Sequence, residues 1–292
     1  NVRGSIDPFT NGLLACDHRT TFAEDRGLQA LDHQVLLGFL LTLGAGLSTG
    51  IGSWLGVLSR RFSPGLLTTA LSFSAGVMIF VSFVEIFPKA RQSLTPALGT
   101  STAYLVTVLA FFAGMLALAL IDRLLPSHEL AILPLREGSD SSALMRTGLF
   151  SALAIAIHNF PEGLATFVAA LSEPRLGIGI AIAIAIHNIP EGLAVSAPVY
   201  YATGSRSQAF WISFASGLAE PVGALIGYVF LRSFLNDVVL GLVFASVAGI
   251  MIYICFDELL PAAQRTGSKH HLMMVGVTAG MLVMSISLVM LS

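Results

Sequence analysis

Charged side chains are scarce in this sequence. Aspartate, glutamate, lysine and arginine together form 11% of the 292 residues, whereas soluble domains average about 25%. The formal net charge of -2 does not favour nucleic-acid binding, which uses strongly basic surfaces. Apolar residues make up 55% of the chain, so the composition is that of a polytopic membrane protein.

Several motifs are also missing. The two cysteines, Cys16 and Cys255, show neither CxxC nor zinc-finger spacing, so a disulfide framework is not expected. No GxxxxGK[ST] motif occurs, which argues against ATP as an energy source. The first residues lack the basic, apolar and cleavage regions of a signal peptide, and we expect none. We predict a polar tail over 1–32, followed by one transmembrane domain over 33–292.

Long apolar runs occur eight times in the sequence. Each is about 20 residues long, which is enough for a helix to cross ~30 Å of hydrocarbon. Continuous runs favour helices over the short alternating strands of a barrel. We therefore predict an all-α fold, a polytopic membrane bundle of eight transmembrane helices. The predicted spans are 33–58, 66–87, 102–125, 144–170, 176–202, 207–231, 237–260 and 269–291.

The orientation follows from basic residues in the connections, which are enriched on the cytoplasmic side. With the N-terminus outside, the inner connections carry eight basic residues and the outer ones four. We therefore predict an N-out, C-out arrangement. The longest connection, 126–143, is then a variable cytoplasmic loop. It contains His128, and a single loop histidine is more often solvated than metal-binding.

The same twelve-residue phrase occurs twice, as AIAIHNFPEGLA at 154–165 and as AIAIHNIPEGLA at 183–194. Each copy places a histidine, an asparagine and a glutamate inside an otherwise apolar predicted helix. Such side chains are costly within a membrane and are therefore usually functional. A short turn joins the fourth and fifth predicted helices, so they run antiparallel. We expect a local inverted pair, with its site near the middle of the membrane.

The polar residues of the doubled phrase are the leading candidate metal ligands. They are His158, Asn159, Glu162, His187, Asn188 and Glu191. In each copy the histidine and the glutamate are four residues apart and share one helix face. Imidazole and carboxylate together suit Zn²⁺ and similar ions, and a bridging carboxylate would allow a binuclear site. Hydrogen bonding between helices is the alternative, but each carboxylate costs at least about 2.5 kcal/mol at membrane depth, and serine would serve more cheaply.

Prolines and glycines follow the ligands in both copies. Pro161 and Pro190 have no N–H, so each frees a backbone carbonyl and is expected to kink its helix. Gly163 and Gly192 are expected to allow another helix to approach closely.

Four further residues are ligand candidates: Glu220, and three weaker ones, Met78, Glu85 and Asp257. Glu220 lies in the sixth predicted span, directly before a proline, and would add a third intramembrane carboxylate. Met78 and Glu85 share one face of the second span with two serines, which would suit a pathway. Methionine usually only fills space, and Glu85 lies near a predicted helix end. Asp257 and Glu258, near the cytoplasmic end of the seventh span, are either part of an exit pathway or interfacial charges, and Asp257 is the favoured pathway residue.

The two HNxPEG motifs on adjacent spans, with AEPVGA at 219–224 in the next span, resemble the ZIP family of divalent metal transporters. The resemblance covers essentially all of 33–292. It implies eight spans with both termini outside, and a transport site, often binuclear, formed by the motif residues and Glu220. It also implies ion movement into the cytoplasm and a place in a bacterial inner membrane. The sequence departs from many relatives in lacking a histidine-rich cytoplasmic loop and a large extracellular domain.

The predicted function is therefore transport of Zn²⁺, with Cd²⁺, Fe²⁺ and Mn²⁺ as further candidate ions and no cofactor. The expected partners are divalent ions and the lipid bilayer. An intramembrane zinc enzyme is disfavoured, because HExxH is absent. A receptor in which zinc only locks the helices together stays open, and so does a homodimer. Four glycines of the first span would allow either a dimer or internal packing: Gly44, Gly46, Gly50 and Gly52.

Overall fold

The computed structural model describes residues 17–58, 64–124, 141–231, 234, 236–268 and 270–291. Within these ranges the chain forms α-helices and two π-helical segments, Ser82–Ile86 and Cys255–Leu259, and contains no strand. The predicted all-α class is confirmed. The α-helices are α1 (Asp17–Leu58), α2 (Pro64–Val81), α3 (Phe87–Leu98), α4 (Thr100–Leu124), α5 (Ser141–Ser172), α6 (Pro174–Thr203), α7 (Arg206–Gly217), α8 (Ala219–Leu231), α9 (Asp237–Ile254), α10 (Leu260–Arg265) and α11 (His270–Leu291).

Eight helical stretches in the described part of the chain are long and apolar enough to cross a membrane. The predicted number of spans is confirmed, and the chain is an integral, multi-pass membrane protein. The spans are His33–Leu58, Pro64–Leu98, Thr100–Arg123, Ser151–Ser172, Pro174–Thr203, Arg206–Phe230, Asp237–Arg265 and His270–Met290.

Two spans continue at least five residues beyond their predicted ends. The second was expected to end at 87 but reaches Leu98, because a π-turn carries the helix through Pro88, which has no N–H to donate. The N–H of Phe87 instead bonds to the carbonyl of Ser82, five residues earlier. The seventh span passes Pro261 in the same way and runs to Arg265 instead of ending at 260.

The two polar segments of the prediction are only partly described. Helix α1 begins at Asp17, inside the predicted tail, and residues 1–16 lie outside the described ranges. Residues 141–143 of the predicted loop belong to the first turn of α5. The rest of that loop, including His128, lies outside the described ranges.

The helices associate in two groups. Helices α1, α5, α6, α7 and α8 pack mainly on one another, whereas α2, α3, α4, α9, α10 and α11 form the second group. The groups meet where α2 lies against α6 and where α5 lies against α9. Helix α6 is central, since 72% of the residues in its most apolar stretch are buried, compared with 17% for α11. The doubled motif therefore lies in the most enclosed part of the bundle.

Glycine allows the backbones of the first group to touch. A Cβ atom on Gly163 would overlap the carbonyl oxygen of Glu220, and one on Gly192 would overlap that of Thr49, so both are sites of close helix approach. In the first span, Gly44 has nothing within 4 Å of such an atom. The other three glycines named for α1 lie against neighbouring helices of the same chain: Gly46, Gly50 and Gly52. Internal packing therefore accounts for these three.

Candidate metal centre

The structure brings the polar residues of both motif copies together in the core. Helices α5 and α6 lie against each other, and each polar side chain of the motifs, together with Glu220, is at most 1% exposed. These buried side chains are His158, Asn159, Glu162, His187, Asn188, Glu191 and Glu220. Three carboxylates, two imidazoles and two amides therefore lie away from lipid in a helical core that is otherwise largely apolar.

The histidines and glutamates pair across the two helices. Nε2 of His158 lies 3.3 Å from Oε2 of Glu191, and Nε2 of His187 lies 3.3 Å from Oε2 of Glu162. Helix periodicity predicts that the histidine and the glutamate of one copy share a face. Crossed pairing follows when two such faces meet in antiparallel orientation. The two helices thus present matching imidazole–carboxylate pairs to each other.

The asparagines bind the neighbouring helices. Nδ2 of Asn188 donates to the carbonyl oxygen of Ala45 at 3.0 Å and also to Oε1 of Glu220. Nδ2 of Asn159 donates to the carbonyl oxygen of Ser216 at 3.3 Å. Each amide therefore fixes a motif helix to α1 or α7, and Asn188 also positions the Glu220 carboxylate.

A break between α7 and α8 places Glu220 at the centre. Pro221 has no N–H to donate to the carbonyl of Gly217, so the helix is interrupted at Leu218. Glu220 then lies in the first turn of α8, where the positive end of the helix dipole favours a carboxylate. By contrast, α5 and α6 continue through Pro161 and Pro190 without interruption.

Each of these seven buried side chains keeps one polar atom that no hydrogen bond satisfies. The atoms are Nδ1 of His158 and His187, Oδ1 of Asn159 and Asn188, Oε1 of Glu162 and Glu191, and Oε2 of Glu220. Buried polar atoms normally have partners, because leaving one unpaired costs about 1–3 kcal/mol. Such a concentration is typical of a site that receives a polar or charged ligand.

The side chains contact one another rather than surround a common point. Among the described residues, no three histidine, cysteine, aspartate or glutamate side chains are placed to hold a metal ion together. The crossed pairing explains this, because each Nε2 is directed at a carboxylate oxygen.

The second span supplies Met78, which is fully buried. The hydroxyl of Ser74, one turn before Met78, donates to the carbonyl oxygen of His187 at 3.3 Å. The face of α2 that carries Ser74 and Met78 therefore lies against the motif of α6. The sequence pattern predicted that these two residues share one face of the second span. Glu85 lies on the π-helical segment and is partly exposed, within electrostatic range of Lys89 and Glu173.

In the seventh span, Glu258 rather than the favoured Asp257 interacts with a histidine of the site. Asp257 is exposed and bonds to Tyr253. Glu258 is partly buried and lies within electrostatic range of His158. The two residues occupy a π-helical segment, whose wider turn changes the direction of side chains relative to an α-helix.

A second repeat in the sequence distinguishes Glu258 from Asp257. AGVMIFVSFVEIFP at 75–88 and AGIMIYICFDELLP at 248–261 align without gaps. The alignment pairs Glu85 with Glu258, and both copies contain the π-turn before a proline. Comparing the second and seventh spans would therefore have favoured Glu258 over Asp257.

Comparison with known proteins identifies the family. The family model described as ZIP zinc transporter matches residues 134–288, more than half of the chain. The chain belongs to the ZIP family. All seven buried candidate residues lie within the matched range. The resemblance of the HNxPEG motifs to ZIP transporters is thus confirmed.

The ZIP relatives extend over nearly the whole chain. The zinc transporter ZupT of Chlorobium chlorochromatii is 60% identical over 263 residues, which cover 88% of this chain and 98% of that protein. ZupT of Chlorobaculum parvum is 55% identical over 267 residues, covering 89% and 99%. ZupT of Lysinibacillus sphaericus is 55% identical over 269 residues, covering 89% and 100%. These relatives are named transporters and not enzymes.

Proposed function

We propose that this ZIP protein moves Zn²⁺ across a bacterial inner membrane into the cytoplasm. In this proposal the ion binds between the crossed histidine–glutamate pairs of α5 and α6. The relatives named above are zinc transporters, and zinc is the ion that imidazole and carboxylate ligands suit. The geometry of the two pairs is the observation that carries the binding site.

The separation within each pair fits zinc better than a strong hydrogen bond. A charge-assisted bond between imidazole and carboxylate has a length of about 2.7–2.9 Å, whereas the Nε2–Oε2 distance is 3.3 Å in both pairs. Two ligands that lie about 2.0–2.1 Å from a tetrahedral zinc ion are about 3.3 Å apart. An ion can therefore be bound by each pair with little movement of either side chain.

The charges support two ions. Each ionised carboxylate costs several kcal/mol to remove from water, so three buried carboxylates imply positive charge nearby. Glu162 and Glu191 balance one divalent ion, and Glu220 brings the negative charge to three, close to the four positive charges of two ions. A binuclear site, with one ion at each pair, thus compensates most of the buried charge.

The same donors set the range of ions. Nitrogen and oxygen ligands also accept Cd²⁺, Fe²⁺ and Mn²⁺, and a thioether at Met78 would favour the softer ions. We propose Met78 as an additional ligand. We propose Glu85 and Asp257 as transient binding positions along the ion pathway, one towards each membrane face. With the N-terminus outside, the second span places Glu85 towards the exterior and the seventh places Asp257 towards the cytoplasm.

Zinc flux tests the function. The purified protein is reconstituted into liposomes that contain a zinc-sensitive dye, and zinc is added outside without ATP. We expect dye fluorescence to rise faster than in protein-free liposomes. If zinc binds to the purified protein but no flux occurs, bound zinc only locks the helices, and the transport proposal fails.

Glu220→Gln separates charge from hydrogen bonding at the site. Glutamine keeps an oxygen to accept the hydrogen bond of Asn188 but removes one negative charge. We expect zinc affinity of the purified protein to fall by about tenfold, which corresponds to ~1.4 kcal/mol. Zinc titration of the variant in detergent measures this. An unchanged affinity would remove Glu220 from the proposed ligand set.

A further inference from the structure

Thr49, in the last third of α1, has a buried hydroxyl group without a hydrogen-bond partner. The residue is 0% exposed, and its Oγ1 makes no hydrogen bond. Three other buried hydroxyls of the same helix each donate to a carbonyl of the preceding turn: Thr42 to Gly38, Ser48 to Ala45 and Ser53 to Thr49. Thr49 thus departs from the usual behaviour of serine and threonine in a membrane helix.

The doubled motif explains the departure. The carbonyl oxygen four residues before Thr49 belongs to Ala45, and besides the backbone N–H of the helix it already accepts two side-chain hydrogen bonds. One comes from Oγ of Ser48 at 2.6 Å and the other from Nδ2 of Asn188 at 3.0 Å. A carbonyl oxygen has only two lone pairs, so the acceptor four residues before Thr49 has no capacity left, and one of its bonds comes from a residue of the candidate metal centre.

The sequence around Thr49 is repeated around Glu220. GLSTGIG at 46–52 and GLAEPVG at 217–223 align without gaps, which places Thr49 opposite Glu220. The contacts follow the same correspondence. The backbone at Thr49 adjoins Gly192 of the second motif copy, and the backbone at Glu220 adjoins Gly163 of the first. The two segments also meet each other, since Gly46 and Gly217 each lie against the other's carbonyl oxygen.

The asparagines extend the correspondence to the side chains. Ala45 and Ser216 occupy equivalent positions in the two segments, and each accepts a hydrogen bond from one motif asparagine, Asn188 and Asn159 respectively. Asn188 also donates to Glu220. The equivalent partner of Asn159 is Thr49, whose shorter side chain makes no such bond. Both Oγ1 of Thr49 and Oδ1 of Asn159 are without a hydrogen-bond partner.

We propose that Thr49 is a further residue of the metal site, the neutral counterpart of Glu220. This inference rests on the proposed transport function. Its hydroxyl oxygen, together with Oδ1 of Asn159, binds the ion or a water molecule on that ion. The two halves of the site are consequently unequal. The half with Glu220 carries one more negative charge than its pair alone and holds its ion tightly, whereas Thr49 adds no charge to the other half, which holds its ion weakly enough to release it.

Thr49→Val tests the role of the hydroxyl, because valine has nearly the same shape as threonine but carries a methyl group in place of the hydroxyl. We expect zinc uptake into proteoliposomes to fall at least about tenfold, the size of effect that a lost hydrogen bond to a charged group produces. Zinc titration of the purified variant should show the weaker ion lost and the tighter ion retained. Thr49→Ser keeps the hydroxyl and should restore both measurements.

Thr42→Val is the matched control, since Thr42 is equally buried in α1 but bonds only to its own helix. It should transport and bind zinc like the unchanged protein. The inference is overturned if Thr49→Val matches this control in uptake and in the number of bound ions. If the unchanged protein shows no flux, the transport function fails, and the titration alone still decides whether Thr49 binds metal. Thr49→Ala provides the same test should the valine variant not fold.

Discussion

Replacing Glu162 and Glu191 together by alanine is expected to reduce zinc uptake by at least about 100-fold. Mutation of residues that merely support a metal ligand lowers affinity or activity about 10–100-fold, and these two carboxylates are the proposed ligands themselves. Each forms half of a buried pair with a histidine of the other helix. Removing both leaves each imidazole without the carboxylate with which it is paired.

The double variant is a better test than either single one. Loss of one carboxylate would leave the opposite pair able to bind an ion, whereas the double variant removes one member of both pairs. Uptake into dye-loaded proteoliposomes measures the effect, and size-exclusion chromatography in detergent confirms that the variant is folded. Influx within twofold of the unchanged protein would contradict the proposed site.

Glu173→Ala is the matched control for this experiment. Glu173 directly precedes α6 and is 48% exposed, and its carboxylate lies 2.5 Å from Nζ of Lys89. Exposed ion pairs contribute only about 0–1 kcal/mol. We therefore expect its uptake to remain close to that of the unchanged protein, so that loss of charge at the membrane surface is distinguished from loss of a ligand.

The sequence allowed the central residues of the site to be predicted, because the motif occurs twice and each copy places ionisable groups in an apolar helix. Periodicity showed that His158 and Glu162 share a face, but not which residue each would contact. The contacts of His158 with Glu191 and of His187 with Glu162 depend on how the two helices cross. Tertiary packing sets that crossing, and no local pattern encodes it.

Helix ends were predicted less well for a physical reason. A proline usually ends a helix or interrupts it, and Phe87-Pro88 was interpreted as an end. The chain instead widens one turn, so that the N–H of Phe87 reaches Ser82 and the helix continues. Whether a helix continues through a proline by means of a π-turn depends on neighbouring helices. The same sequence pattern before Pro261 would nevertheless have indicated a recurring feature.

The contribution of α1 was also missed, because none of its residues carries a charge near the site. Its importance is visible only in contacts: Ala45 accepts a hydrogen bond from Asn188, and the backbone at Thr49 adjoins Gly192. The internal repeat that relates α1 to α7 and α8 is short and diverged. It becomes recognisable once the glycine contacts show which segments correspond.

Gly52→Ala is expected to destabilise the protein by about 2 kcal/mol or more, within the range found for overpacked interiors. A Cβ atom on Gly52 would overlap the carbonyl oxygen of Ile189, which lies between Asn188 and Pro190 in the second motif copy. Since that atom is backbone, α6 must move away from α1. The movement would also strain the hydrogen bond between Asn188 and Ala45 and displace the ligands, so uptake should fall with stability.

Gly44→Ala in the same helix isolates the packing effect. Gly44 is exposed, and a Cβ atom there would have nothing within 4 Å. Both changes gain the better helix propensity of alanine, about 1 kcal/mol, so only the contact with α6 distinguishes them. Thermal unfolding in detergent should therefore show opposite shifts: unchanged or higher unfolding temperature for Gly44→Ala, and lower for Gly52→Ala. Equal shifts would mean that α1 and α6 are not in backbone contact at the site.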